Sequence, residues 1–208
     1  MKKVLVVGAS GLVGRAVAAN LEADHTVVRA SRSSGDVRVD VLDPSSVQAM
    51  FETVGEVDAI VTVTGRQAYG PLSAITSEEI ALGLTDKVMG QINVVLAGQS
   101  ALRESGTITM TSGVMSDPPF PGGIGAHTDN AAIESFARVA ATELTGNRRI
   151  NVVSPAVVIP SWDEPLPAHL IPAGLFQVTA PDLALSYRSS IEDGHTGEVY
   201  KVWGTPTD

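Results

Sequence analysis

The sequence predicts one domain built on a doubly wound parallel α/β sheet of about seven strands, and three observations carry that prediction. Short apolar, β-branched runs alternate with amphipathic helical segments through all 208 residues. The runs are continuously apolar, as strands covered on both faces must be. The first of them ends in glycines that open directly into a helix.

Taken in order, residues 2–8 (KKVLVVG) form a strand, and residues 11–24 place apolar side chains at helical spacing. Residues 25–31 and 37–41 read as strands, and 44–54 as a helix entered at Pro44, whose missing N–H suits a first turn. Residues 57–65 (VDAIVTVTG) form a buried strand. A long helical pattern from Ser77 to Arg103, with a kink expected near Gly83 or Gly90, leads to a strand at 106–113. After a Pro/Gly-rich loop, residues 129–144 are amphipathic, with Ile133, Phe136, Ala137 and Ala140 along one face, and 148–155 read as a strand. Pro-rich residues 157–174 break the rhythm, so a loop or short helix over a cleft is expected around 156–178. A helix at 180–191 and a last strand at 197–204 complete the chain.

Composition narrows the function. With no cysteine, disulfides, thiolate metal sites and cysteine nucleophiles are excluded. A net charge of -9 disfavours binding to nucleic acid or to an anionic membrane surface. Met1-Lys2-Lys3 leads into a strand, with no secretory signal pattern and no run long enough to span a bilayer, so a cytoplasmic location is expected. His25, His169 and His195 are too scattered to suggest a metal site, and no metal is expected.

In such a sheet, ligands sit beyond the carboxyl ends of the strands. GASGLVG puts Gly8, Gly11 and Gly14 between the first strand and first helix, the Rossmann-type arrangement. Gly8 allows the tight turn, Gly11 a close approach of backbone to pyrophosphate, and Gly14 close helix–strand packing. Ser10, Leu12 and Val13 complete the loop, and the helix amides face the phosphates. The second strand ends at Ser31-Arg32 without a carboxylate. An arginine there accepts the 2′-phosphate of NADP, assisted by Ser31, so NADP(H) is favoured over NAD(H); the alternative is a solvated loop cation.

These residues, in this order, resemble the short-chain dehydrogenase/reductase family over essentially the whole chain. By that resemblance Asp40-Val41 corresponds to the adenine-contacting turn, Thr62 to Gly65 (TVTG) to the family's Asn-Asn-Ala-Gly with Thr64 and Gly65 lining the cofactor, and Pro155-Ala156 to its Pro-Gly. The catalytic part departs further. Ser112 best matches the family serine that polarises the substrate oxygen, with Thr111 one register away; Ala126 takes the place of the tyrosine acid and Asn130 that of the lysine. On the preceding long helix the family's Asn-x-x-Gly becomes Lys87-Val88-Met89-Gly90. Lysine and asparagine have exchanged places, unless Lys87 reaches solvent and Asn130 merely lies near a helix start. His127, Tyr69 or a water relayed through Ser112 can supply the proton. Asp163 and Glu164 meet a polar substrate or solvent; Trp162, Leu166, Leu170 and Phe176 form an apolar lid or a subunit contact. The resemblance implies an atypical NADP(H)-dependent oxidoreductase acting on a small carbonyl or alcohol, or a catalytically silent NADP(H) sensor, assembled as a homodimer or homotetramer.

Overall fold

The computed structural model describes residues 1–117, 119–160 and 177–203. Seven parallel strands form the central sheet: β1 (Lys3–Val7), β2 (Thr26–Ser31), β3 (Val37–Arg38), β4 (Val57–Thr62), β5 (Leu102–Thr111), β6 (Arg149–Pro155) and β9 (Val199–Val202). Their order is β3-β2-β1-β4-β5-β6-β9, so the direction of winding switches between β1 and β4. Side chains alternate across the pleat. Leu5 and Val7 of β1 enter a core shared with α2 (Pro44–Val54), α4 (Gly90–Gly98) and α5 (Ile124–Glu143), while Val4 and Val6 enter the opposite core, against α1 (Leu12–Leu21) and α6 (Ala180–Glu192).

Three boundaries differ from the sequence reading. The long helix runs from Ser77 to Gly98, and it ends there, where Gly98 packs onto Ile60 and Phe51 while the Ala101 amide turns back to the Gly98 carbonyl. β5 accordingly starts at Leu102, with a register shift against β4 between Val57 and Ala59. Helix α5 begins five residues before Asp129, at Ile124. Within the Pro-rich stretch the structure adds an unexpected parallel pair, β7 (Val157–Ile159) with β8 (Gln177–Thr179), built from β-branched residues whose short run periodicity does not reveal. Residues 161–176, the greater part of the expected lid with Trp162, Asp163, Glu164, Leu166, His169, Leu170 and Phe176, lie outside the described residues.

The 22-residue helix 77–98 also corrects the expectation about bilayer-spanning runs, because its mean hydropathy of 1.3 reaches the length and composition required. Here it is a core helix: Val94 and Val95 pack on the sheet, and Lys87 and Gln91 are buried with polar partners. Between α3 (Ser77–Gly83) and α4 it widens into a π-helical segment, Leu84–Met89, which carries Lys87. Such widened turns put an extra residue on the inner face and recur at functional sites.

The β1–α1 junction fixes where this machinery stands. Gly8 takes φ 93°, and a Cβ there meets the Val63 carbonyl oxygen at 2.3 Å; one at Gly14 meets the Gly8 carbonyl oxygen at 2.2 Å. Helix and strand can therefore approach only with hydrogen at position 14. Gly14→Ala should lower stability by ~1–3 kcal/mol through overpacking, read as a lower urea midpoint with an unchanged denaturant slope; an unmoved midpoint contradicts the close packing.

Candidate functional site

Two adjoining clefts open at the carboxyl ends of the strands. The first is lined by Gly8, Ser10 and Gly11 after β1, Ser31 and Arg32 after β2, Asp40 and Val41 after β3, and Thr64 and Gly65 after β4, so nine of the residues expected to meet a dinucleotide share one surface. Gly11 is the N-cap of α1 and has no side chain to cap it, which leaves the first-turn amides for an anionic group. Leu12 and Val13 are half-buried in that turn and Gly14 supports it from behind. The Thr64 hydroxyl is buried in this region without a hydrogen-bond partner. An uncapped helix start and an orphaned hydroxyl fit a ligand rich in phosphate and hydroxyl groups.

Arg32 is exposed on the cleft and, among the described residues, joins no ion pair. Ser31 is differently employed. Its Oγ donates to the Ser34 carbonyl (2.5 Å) and accepts from the Ser34 amide (3.1 Å), folding the turn that presents Arg32. The Asp40 carboxylate accepts from the Leu42 amide at 3.0 Å and shapes its own turn. Pro155 lies with the second cleft, not the first.

The second cleft is lined by Gln67, Tyr69, Ser112, Gly113, Asn130 and Pro155, among others. Behind it, Lys87 Nζ donates to Asn130 Oδ1 at 2.7 Å and to the Ser112 carbonyl at 2.9 Å, and all three residues are buried. The residues expected to have exchanged places thus touch. Asn130 Oδ1 also accepts from Gln67 Nε2 at 3.0 Å. Lys87 also touches the wall of the first cleft: a Cβ on Gly65, which has φ 113°, meets Lys87 Cα at 2.3 Å, so that loop lies directly on the lysine backbone.

The other candidates occupy different stations. Ser112 Oγ donates to Glu134 Oε1 at 2.8 Å, pointing into α5. Thr111 Oγ1 donates to the Thr62 carbonyl (2.7 Å) and meets the Tyr187 hydroxyl (2.8 Å) on the opposite face of β5, which separates the two registers open at the sequence level. His127 Nε2 accepts the Phe120 amide at 3.1 Å, so its proton sits on Nδ1 and the ring anchors the preceding loop. Tyr69 is 59% exposed, and its hydroxyl lies 3.4 Å from Gln67 Oε1. Ala126 is fully buried.

The sequence reading missed four residues. Gln91, four positions after Lys87, accepts from the Thr62 hydroxyl and the Thr111 amide and donates to the Thr111 carbonyl, tying together the ends of β4 and β5. Gln67 steadies Asn130. Glu134, four positions after Asn130, holds Ser112. Asp129 is 1% exposed and neither carboxylate oxygen has a hydrogen-bond partner; it wedges against Gly83, where a Cβ meets Oδ2 at 2.1 Å. The i, i+4 spacing on one helix face was the available signal for Gln91 and Glu134.

Electrostatically the centre is strained. Burial pushes the Lys87 ammonium down to about 7, opposed by the charges of Asp129 and Glu134. Burial likewise pushes the Asp129 carboxyl up to about 6, opposed by Lys87. Away from both clefts, Asp24, His25 and Glu192 gather ligand atoms within 4.8 Å, but Arg188 already pairs with both carboxylates.

With this geometry in place, the comparisons are consistent. A family model described as enoyl-(acyl carrier protein) reductase matches residues 11–166. A crystal structure of a Listeria innocua protein is 40% identical, with a TM-score of 0.90 over 98% of this chain and 100% of that one. A small-chain dehydrogenase crystallised with NADPH is 27% identical, with a TM-score of 0.83 over 96% of this chain and 95% of that one. An uncharacterized oxidoreductase of Methylorubrum extorquens is 25% identical over 182 residues, 76% of this chain and 73% of its own length.

The two shifted groups predict a signed pH dependence of stability. Asp129 keeps a proton up to about pH 6 that the unfolded chain releases near its ordinary value of 3.8, so its contribution falls as pH rises through that window. Lys87 loses its proton near pH 7 while the unfolded chain holds it to about 10.5, so its contribution rises from pH 7 upward. Asp129→Asn should abolish the fall between about pH 4 and 6 and start the rise at lower pH. Urea midpoints measured across pH 4–9 check this, and parallel wild-type and variant curves contradict it.

Proposed function

The chain belongs to the short-chain dehydrogenase/reductase family, whose members are NAD(P)-dependent oxidoreductases, and on that premise we propose that it interconverts a small carbonyl compound and its alcohol using NADP(H) in preference to NAD(H). The observation that carries this reading is the bridge that buried Lys87 makes between the cleft walls: its backbone packs on Gly65 of the first and its Nζ holds Asn130 of the second. Bound in the first cleft, the nicotinamide cofactor supplies or accepts the hydride. The uncapped start of α1 receives the pyrophosphate, Thr64 and Gly65 border the dinucleotide, and Asp40-Val41 border its adenine end. Exposed Arg32, with no carboxylate at the end of β2, selects the 2′-phosphate. That a 27% identical small-chain dehydrogenase was crystallised with NADPH supports the same choice.

The second cleft, about 310 Å3, suits a small substrate. Lys87 and Asn130 organise its inner wall, and Ser112, through its carbonyl to Lys87 and its hydroxyl to Glu134, holds that wall in place. Tyr69, an exposed phenol that stays protonated at neutral pH, borders the cleft as a proton source beside solvent water. We read residues 1–208 as one domain in the cytoplasm. We further read it as a homodimer or homotetramer, because a groove between α4 and α5 leaves Leu96 and Val139 more than half exposed beside Phe136 and Leu144. Light scattering should then return at least twice the 21.6 kDa chain mass; a monomer at micromolar concentration rejects the assembly.

Calorimetric titration should give saturable NADPH binding, and NADPH should be consumed with at least one of a panel of aldehydes, ketones and quinones. Saturable binding with no consumption across the panel favours a sensor on the same fold. Replacing a charge-assisted phosphate contact costs ~1.5–3 kcal/mol, about ten- to a hundredfold, so Arg32→Asp should weaken NADPH by at least that factor and NADH far less. Equal losses refute the 2′-phosphate assignment.

A further inference from the structure

We propose that the side-chain amide of Asn130 is the group that recognises the reacting oxygen: its Nδ2–H is presented to the second cleft through the gap left by Gly113. This deepens the oxidoreductase reading and rests on it.

The orientation of the amide is fixed by its other end. Oδ1 accepts two hydrogen bonds, from Lys87 Nζ at 2.7 Å and from Gln67 Nε2 at 3.0 Å. Gln67 turns its Oε1 to the Tyr69 hydroxyl and so offers only its NH2 to Asn130, and Lys87 donates at the same end, so the oxygen faces both and the NH2 faces away. The face it turns to is the cleft. A Cβ built on Gly113 falls 3.0 Å from Nδ2, and both residues line the cleft. Nδ2 has no acceptor among the described residues. Nor does it count among the buried polar atoms lacking a partner. Among the described residues it is therefore a donor open to the cleft.

Among the described residues, two other candidates are already engaged. The Ser112 hydroxyl is spent on Glu134 at 2.8 Å and His127 accepts a loop amide at 3.1 Å. Position 126 carries only a methyl group. Among the described residues, Asn130 alone combines burial, a doubly fixed acceptor end and a donor end directed at the cleft. When the carbonyl carbon receives hydride from NADPH, the carbon–oxygen π pair moves onto oxygen. The fixed Nδ2–H stabilises that charge without reorganising, and a cleft water delivers the proton that completes the alcohol. Lys87 and Gln67 are positioning residues that act through Oδ1. Pairing with Lys87 also withdraws electron density from the amide and strengthens its N–H as a donor.

The test uses the full chain saturated with NADP+, with isatin, a soluble cyclic dicarbonyl, as the probe; oxidised cofactor plus ketone cannot turn over. The Asn130 NH2 pair in a 1H–15N spectrum is assigned by its loss in Asn130→Asp, and it should shift downfield saturably as isatin is added. Gly113→Ala sets a methyl against Nδ2 and should suppress the shift, as should Lys87→Met, which frees Oδ1; thermal melts confirm that each variant folds. With whichever carbonyl consumes NADPH, Asn130→Asp should lose about 10²–10³ in kcat, the cost of one oxyanion donor, while NADPH affinity stays within about threefold. An NH2 pair that isatin leaves unmoved overturns the proposal, as does wild-type turnover in Asn130→Asp. Absence of NADPH consumption in the wild type instead rejects the oxidoreductase reading, and a shifted NH2 pair would still stand for the amide.

Discussion

The site depends on one buried ammonium. Lys87 sits on the π-helical turn between Gly83 and Gly90, and its Nζ is shared between the Ser112 carbonyl at the end of β5 and the Asn130 side chain on α5. Three elements far apart in sequence thus converge on a single nitrogen. A charge in that environment is costly to bury, and the balance is kept by two carboxylates, Asp129 and Glu134, rather than by one close ion pair. The arrangement is tuned close to neutrality, so small changes around it alter whether the centre carries charge at all. Removing either carboxylate leaves the lysine worse compensated than before.

The fold was largely legible. Alternating strands and helices gave all seven strands of the parallel sheet, because each buried strand is a run of apolar β-branched residues and each covering helix has a clear stripe. What was not legible followed from tertiary contact. An irregularity was expected in helix 77–98 at its glycines, but its form was not: Gly83 and Gly90 admit Asp129 and Val41 at close range and flank a π turn. The β7–β8 pair has strands of only three residues, too short to leave a periodic signal.

At the site, the structure brings the glycine loop and Arg32 to the first cleft and Asn130 to the second, with Lys87 buried behind them, because a strand or helix delivers each residue to the carboxyl end of the sheet. Sequence order does not tell which atoms already have partners. Ser112 and His127 are residues whose types suit catalysis, yet hydrogen bonds to Glu134 and Phe120 already occupy their functional atoms. Partnership of that kind depends on side-chain direction, which a linear pattern does not encode. Asp129 is the opposite case: its neighbours on paper are ordinary helix residues, and only its packing against Gly83 reveals a carboxyl without partners.

The bare N-cap at Gly11 couples folding to metabolism. A helix whose first-turn amides lack a capping side chain is finished by whatever anion settles there. A ligand present at a hundred times its dissociation constant adds about 2.7 kcal/mol to the native state, and a change of about 1–2 kcal/mol is enough to alter abundance several-fold. The cellular abundance of this chain would then follow the supply of its phosphate-bearing ligand, with the empty form cleared faster than the loaded one.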